Sequence, residues 1–128
     1  FFKKEVFNKI GLMDEKYFVY YDDTDYLWRC MKGNFKVNIY TKGIIEHKEG
    51  KSTGGQTSDF SFYYYTRNRF YFSSKINSFF LLKYLSFAYI FIVSLLRSIK
   101  HGKLLLFYKL IKTLFSKKRF ENPTSFPI

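Results

Sequence analysis

The chain has 128 residues, with 22 Lys+Arg against 10 Asp+Glu, a formal net charge of +12, and an aromatic content of 23 % carried by 12 Tyr and 17 Phe. This apolar and aromatic content excludes a wholly disordered chain, and the length suffices for one domain with a core but not for two. The single cysteine, Cys30, excludes an intramolecular disulfide and a Cys-rich zinc or iron–sulfur centre.

Phe1-Phe2-Lys3-Lys4 is not followed by the apolar run of a signal peptide. Glu5 to Ile10 reads as a short helix stopped by Gly11. A start this close to structure, without an initiator Met, predicts a piece of a longer protein. Tyr17 to Tyr21 is aromatic and β-branched and predicts a short extended segment. Asp22 and Asp23 are candidate caps for a helix over roughly Asp25 to Met31, ended by Gly33. Phe35, Val37 and Ile39 alternate with Lys36, Asn38 and Tyr40, the pattern of a half-buried strand. Thr41-Lys42-Gly43 predicts a turn, and Ile44-Ile45 the start of another strand. Lys48 to Asp59 is a Gly/Ser/Thr/Lys-rich loop, and Phe60 to Phe72 reads as an aromatic helix, although its Tyr/Phe spacing would also suit a strand.

Charge divides the chain in two. Residues 1–75 carry 13 Lys/Arg and 9 Asp/Glu, whereas residues 76–128 carry 9 Lys/Arg and only Glu121. Chemistry that needs carboxylates belongs to the first part, and an anionic membrane surface suits the second. From Ile76 to Leu96 only Lys83 is charged, and that run is long enough to cross a bilayer if Lys83 snorkels. Leu104 to Phe115, with Lys109 and Lys112 three residues apart, has the pattern of an interfacial amphipathic helix. Lys117-Lys118-Arg119 closes it.

The sharpest cluster is Tyr20-Tyr21-Asp22-Asp23-Thr24-Asp25. Crowded carboxylates repel one another, which suits a general base or a metal ligand, or else a helix cap among solvated acids. Asp25 is the most structural of the three by its place in the first turn. His47 opens the Gly-rich loop, where ligands often sit. Gly50-Lys51-Ser52-Thr53 resembles the end of a phosphate-binding loop, but Ile45 stands where that motif needs Gly. Lys51 and backbone amides remain candidates for a pyrophosphate cradle. Arg67 and Arg69 are candidates to clamp phosphates or to pair with Asp22 or Asp59.

Glu5 to Phe18, followed by Tyr20-Tyr21-Asp22-Asp23-Thr24-Asp25, resembles the catalytic-acid region of family 2 glycosyltransferases. Asp22 stands where Glu is commoner. Arg29, Gly33, His47 and Tyr65-Thr66-Arg67-Asn68-Arg69 continue the likeness, which is to the rhamnosyltransferase-like branch and covers residues 5 to about 120. The resemblance implies an α/β fold, with residues 1–75 the C-terminal portion of a GT-A catalytic domain and residues 76–128 a helical membrane-associated tail. It implies an inverting transfer from a nucleoside-diphosphate sugar to a glycan or lipid-linked acceptor. Asp23 would be the general base, supported by Asp22, and His47 a ligand of Mg2+ or Mn2+. Lys51, Arg67 and Arg69 would contact pyrophosphate or acceptor. Much of the nucleotide site would lie in an absent N-terminal half, so the chain alone would be inactive. The tail would rest on the cytoplasmic face of the cell membrane.

Two rival readings belong to other classes. A charge of +12 with interleaved aromatics suits a nucleic-acid-binding module, but the densest positive charge sits in an apolar tail, which argues for no nucleic acid. A non-catalytic membrane-anchoring segment is the other.

Overall fold

The computed structural model describes residues 2–44, 54–55, 57–76, 79–116 and 120. Helix α1, Lys4–Ile10, ends where Gly11 takes a φ of 82° and returns its N–H to the Phe7 carbonyl at 2.9 Å, a conformation that disfavours any residue with a Cβ. Helix α2, Asp22–Lys32, begins three residues before the predicted start and places Asp22, Asp23 and Asp25 in its first turn, where acids favour the helix dipole. Its end at Gly33 is as predicted. Val6, Tyr26 and Cys30 form the small core between α1 and α2, flanked by Phe7, Ile10 and Phe35.

Helices α3 (Asp59–Ile76), α4 (Phe80–Lys100) and α5 (Leu104–Leu114) pack on one another. Their core is Phe62, Tyr63 and Tyr64 from α3 against Leu106, Phe107 and Leu110 from α5. α3 and α4 run antiparallel, with Phe70 and Phe87 edge to face at 5.7 Å. Gly102, at φ 66°, turns the chain from α4 into α5, and the Lys103 N–H closes the turn on the Ser98 carbonyl at 2.7 Å.

Polar side chains of α3 bind the N-terminal part to this bundle. Asn68 Nδ2 donates to the carbonyls of Val19 (2.6 Å) and Tyr20 (3.1 Å), and Arg67 Nη1 donates to the Lys16 carbonyl at 3.0 Å. The predicted strand over Tyr17–Tyr21 is therefore not formed. Carbonyls that a sheet would use are taken by side chains, and Tyr20 and Tyr21 stand in left-handed conformation, at φ 64° and 67°, which ends extended geometry.

The strand predicted over Phe35–Tyr40 is also absent. The segment is irregular, with Ile39 and Tyr40 exposed, because a strand needs a partner for its backbone groups and none lies beside it among the described residues. Ile44 is likewise irregular and exposed; Ile45 lies outside the described residues. The turn at Thr41 and Lys42 is present.

The α/β expectation is thus corrected. The described residues form five helices and no strand. A GT-A domain holds its nucleotide at the carboxyl ends of the strands of a sheet, so the likeness to family 2 glycosyltransferases fails at the level of fold. The transferase activity and its nucleotide-sugar chemistry fail with it.

Candidate functional site

Asp22 and Asp23 are the first two residues of α2. Asp23 is exposed, and its Oδ1 accepts from the Thr24 N–H (2.6 Å) and hydroxyl (3.2 Å), a local arrangement at the start of α2. Asp22 is half-buried beside it. A cavity opens between α1, α2 and Phe35–Asn38, lined by Phe2, Val6, Leu27, Cys30 and Val37 among others. No group of three His, Cys, Asp or Glu that could hold a metal ion occurs among the described residues. His47 and Lys51 lie outside them.

The third acid of the cluster is the one that is enclosed. Asp25 is fully buried and accepts from Arg29 Nε at 2.9 Å, Lys75 Nζ at 2.5 Å and the Tyr17 hydroxyl at 3.4 Å. Arg29 extends the network to the carbonyls of Ile10 (3.1 Å) and Leu12 (2.8 Å), the open end of α1. Asp14 completes it, bound by Tyr71 (2.7 Å) and Lys75 (3.0 Å). Partial burial pulls the Asp14 carboxyl upward, but hydrogen bonds from Tyr71, the Lys16 N–H and Lys75 outweigh it and hold it below the usual carboxylate value. Burial first, and then the nearby carboxylates, push the phenols of Tyr17 and Tyr71 well above the usual tyrosine value. These contacts favour the charged form of Asp14 and the neutral forms of Tyr17 and Tyr71. The network ties α1, α2 and α3 together.

Arg67 and Arg69 part company on α3, because two residues on a helix point to different faces. Arg67 is buried and donates to the Lys16 carbonyl, to Asn68 Oδ1 (2.5 Å) and to the Phe120 carbonyl (2.5 Å), so it is occupied in holding chain segments together. Desolvation lowers its pKa from the usual guanidinium value. It pairs with neither Asp22 nor Asp59. Asp59 pairs with Lys103 at 2.6 Å, and Lys103 also donates to the Thr57 carbonyl. Arg69 is half-buried and lies over the Tyr89 ring of α4 at 5.3 Å. Arg97 of α4 lies over the Tyr65 ring at 5.9 Å.

The feature that sequence reasoning missed is how α4 is turned. Its exposed face carries Leu81 (69 % exposed), Leu85 (58 %), Tyr89 (59 %), Ile92 (55 %), Leu96 (61 %) and Ile99 (56 %), while Ile90 (4 %), Ser94 (4 %) and Ser98 (0 %) point inward. The exposed residues recur every three to four positions and form one apolar stripe. α5 likewise exposes Leu104, Leu105 and Tyr108, followed by exposed Lys112. A helix of a water-soluble bundle has the opposite arrangement, with leucines inside and serines outside. The four-residue spacing of Ser94 and Ser98 is the signal in the chain that could have revealed the inward face. α4 is long and apolar enough to cross a membrane; its 21 residues span about 31 Å at 1.5 Å per residue.

In comparisons with protein-family models, curated proteins and solved structures, nothing matches the chain.

Proposed function

We propose that this chain is a non-catalytic membrane-associating module that sets the outer face of α4 and α5 into an anionic leaflet. The inverted burial of α4 carries this reading. Burying Leu85, Ile92 or Leu96 in acyl chains would each contribute about 1.5–3 kcal/mol, a gain that water denies them. The stripe is flanked by Arg97, Lys100 and Lys112, cations that attract anionic lipid. Anionic lipid is the mark of the cytoplasmic leaflet, and that is the face proposed.

The geometry favours α4 lying in the interface rather than crossing. α3 packs along its inner side and carries Arg67 and Asn68, whose partners are the backbone of residues 16–20. Crossing would draw that polar layer into hydrocarbon at a cost of several kcal/mol per unsatisfied group. In-plane insertion leaves it in water.

Co-sedimentation of the whole chain with vesicles tests the reading. Binding to phosphatidylserine-containing vesicles is expected, weakened by salt but not abolished, since apolar burial is not screened. α4 amides should gain hydrogen-exchange protection on binding. Failure to sediment with vesicles, together with salt-sensitive binding to single-stranded oligonucleotides, would overturn the proposal in favour of a nucleic-acid-binding module.

A further inference from the structure

Exposure along α4 is uneven, which an in-plane stripe does not by itself explain. Of the eight residues from Phe80 to Phe87, five are exposed and apolar or aromatic: Phe80, Leu81, Leu82, Tyr84 and Leu85. Phe79, at the cap position before them, is exposed as well. Of the eight residues from Val93 to Lys100, only Leu96 and Ile99 are exposed and apolar. At 3.6 residues per turn, Phe80, Leu81 and Leu82 face about 200° of the helix circumference, whereas Leu96 and Ile99 lie within about 60° of each other.

Charge runs the other way along the helix. From Phe79 to Leu96 the sequence has one charged residue, Lys83, which is half-buried with its ammonium 6.0 Å from the centre of the Phe87 ring. The carboxyl end holds Arg97 and Lys100, followed by His101 and Lys103. Phe80 and Tyr84 pack ring on ring at 4.3 Å in the first turns, while Ile90, Ser94 and Ser98 stay buried. A single flat partner covers one side of a helix. An exposed apolar arc as wide as that at Phe80–Leu82 calls for a medium that surrounds it, and acyl chains supply one.

We infer that the first two turns of α4 are an apolar wedge that enters the acyl chains more deeply than the last two turns and selects leaflets with loosely packed chains. This rests on the membrane reading above and adds to it a direction of insertion and a kind of leaflet. Exposed Lys100 holds the carboxyl end at the level of anionic headgroups. At the other end only Lys83 resists immersion, and its four-carbon stem lets the ammonium reach back to the interface. A drop of about 5 Å along a helix of about 30 Å is a tilt of about 10°, which keeps both ends within the depth of an interfacial helix. Bulky side chains need room between lipid molecules. Unsaturated chains already leave that room, whereas tightly ordered chains must be parted. The wedge has little charge to offset that cost.

The test uses the whole chain and vesicles with the same phosphatidylserine fraction, made either from unsaturated lipids or from saturated lipids ordered with cholesterol. The wild type is expected to prefer the unsaturated vesicles by about tenfold. Phe80→Ser/Leu81→Ser should lose that preference, and Leu96→Ser/Ile99→Ser should weaken binding to both vesicles while keeping it. All four side chains are exposed, so neither pair should unfold. Depth gives a second readout. Trp28 is the single tryptophan, so Phe80→Trp and Leu96→Trp are each made with Trp28→Phe and quenched by lipids brominated near the headgroup or near the chain middle. Phe80→Trp should be quenched best from the chain middle and Leu96→Trp best from near the headgroup. If Trp28→Phe unfolds by circular dichroism, the serine pairs, which keep Trp28, decide the question alone. Equal binding of both vesicles by the wild type, loss of the preference in both serine pairs, or equal depth at the two positions overturns the wedge and leaves membrane binding standing. A wild type that dimerises in vesicle-free buffer, with Phe80→Ser/Leu81→Ser monomeric, assigns these turns to a second copy and also overturns the wedge. No vesicle binding at all overturns both readings.

Discussion

Lys75 Nζ, in the last turn of α3, lies 2.5 Å from Asp25 Oδ1 in the first turn of α2, and the Asp25 side chain has no solvent exposure. The same ammonium lies 3.0 Å from Asp14 Oδ2. One cation therefore joins two acids from different segments, and Arg29 supplies the second positive charge that Asp25 needs. A buried pair of this kind adds little net stability over an apolar substitute, but breaking it strands the remaining charges.

Asp25→Asn should therefore destabilise the fold by about 3 kcal/mol, since Arg29 and Lys75 would be left without their shared carboxylate. Urea unfolding followed by circular dichroism checks this. Asp25→Leu/Lys75→Met should be less harmful than Asp25→Leu alone, because one of the two cations facing the lost carboxylate is removed with it, while Arg29 keeps the Ile10 and Leu12 carbonyls.

Asp14 and the two phenols set opposite pH limits. The Asp14 carboxyl is held below its ordinary value of 3.8 in the folded chain. Its contribution is complete above that pH and is lost as pH falls through the lower folded value. Tyr17 and Tyr71 are raised above their ordinary 10.0. Their contribution is complete below pH 10 and is lost as pH rises toward the folded values. Urea midpoints across pH should fall at both ends. Asp14→Asn should flatten the acid limb, and Tyr17→Phe the alkaline limb.

Leu85→Asp/Ile92→Asp should leave folding stability within about 0.5 kcal/mol, because both side chains are already exposed. The same pair should weaken vesicle binding by at least about tenfold per residue. Parallel denaturation and co-sedimentation measurements separate the two effects. An α4 buried in a soluble core would show the reverse.

Ser98→Leu tests the inward face. Ser98 is fully buried and its hydroxyl donates to the Leu95 carbonyl at 2.7 Å. A leucine there has no room and should cost about 1–3 kcal/mol, even though the change raises the apolar content of the helix. Thermal unfolding provides the measurement.

Local signals in the chain were sufficient for the helices. Gly11 and Gly33 mark the ends of α1 and α2, as helix stops are set by neighbours a few residues away; the start of α2 was misplaced, since Tyr21 and not Asp22 or Asp23 holds the cap position and no side chain caps the helix. The amphipathic pattern of α5 and the aromatic helix α3 were likewise legible. Of the candidate site residues, the acid cluster was visible, but its members could not be told apart: Asp25 became the buried one and Asp23 the exposed one through contacts with Lys75 and Thr24. Period-two alternation over Phe35–Tyr40 misled, since alternation describes a strand only when a second strand accepts its hydrogen bonds.

Composition by itself determined that residues 76–128 are apolar and basic and that α4 is long enough to matter to a membrane. Only the tertiary structure decided which way that helix faces. α3 and α5 pack against α4 and its buried side holds Ile90, Ser94 and Ser98, so Leu81, Leu85, Ile92, Leu96 and Ile99 are left outside. Facing is a property of what packs against a helix, and those partners come from elsewhere in the chain.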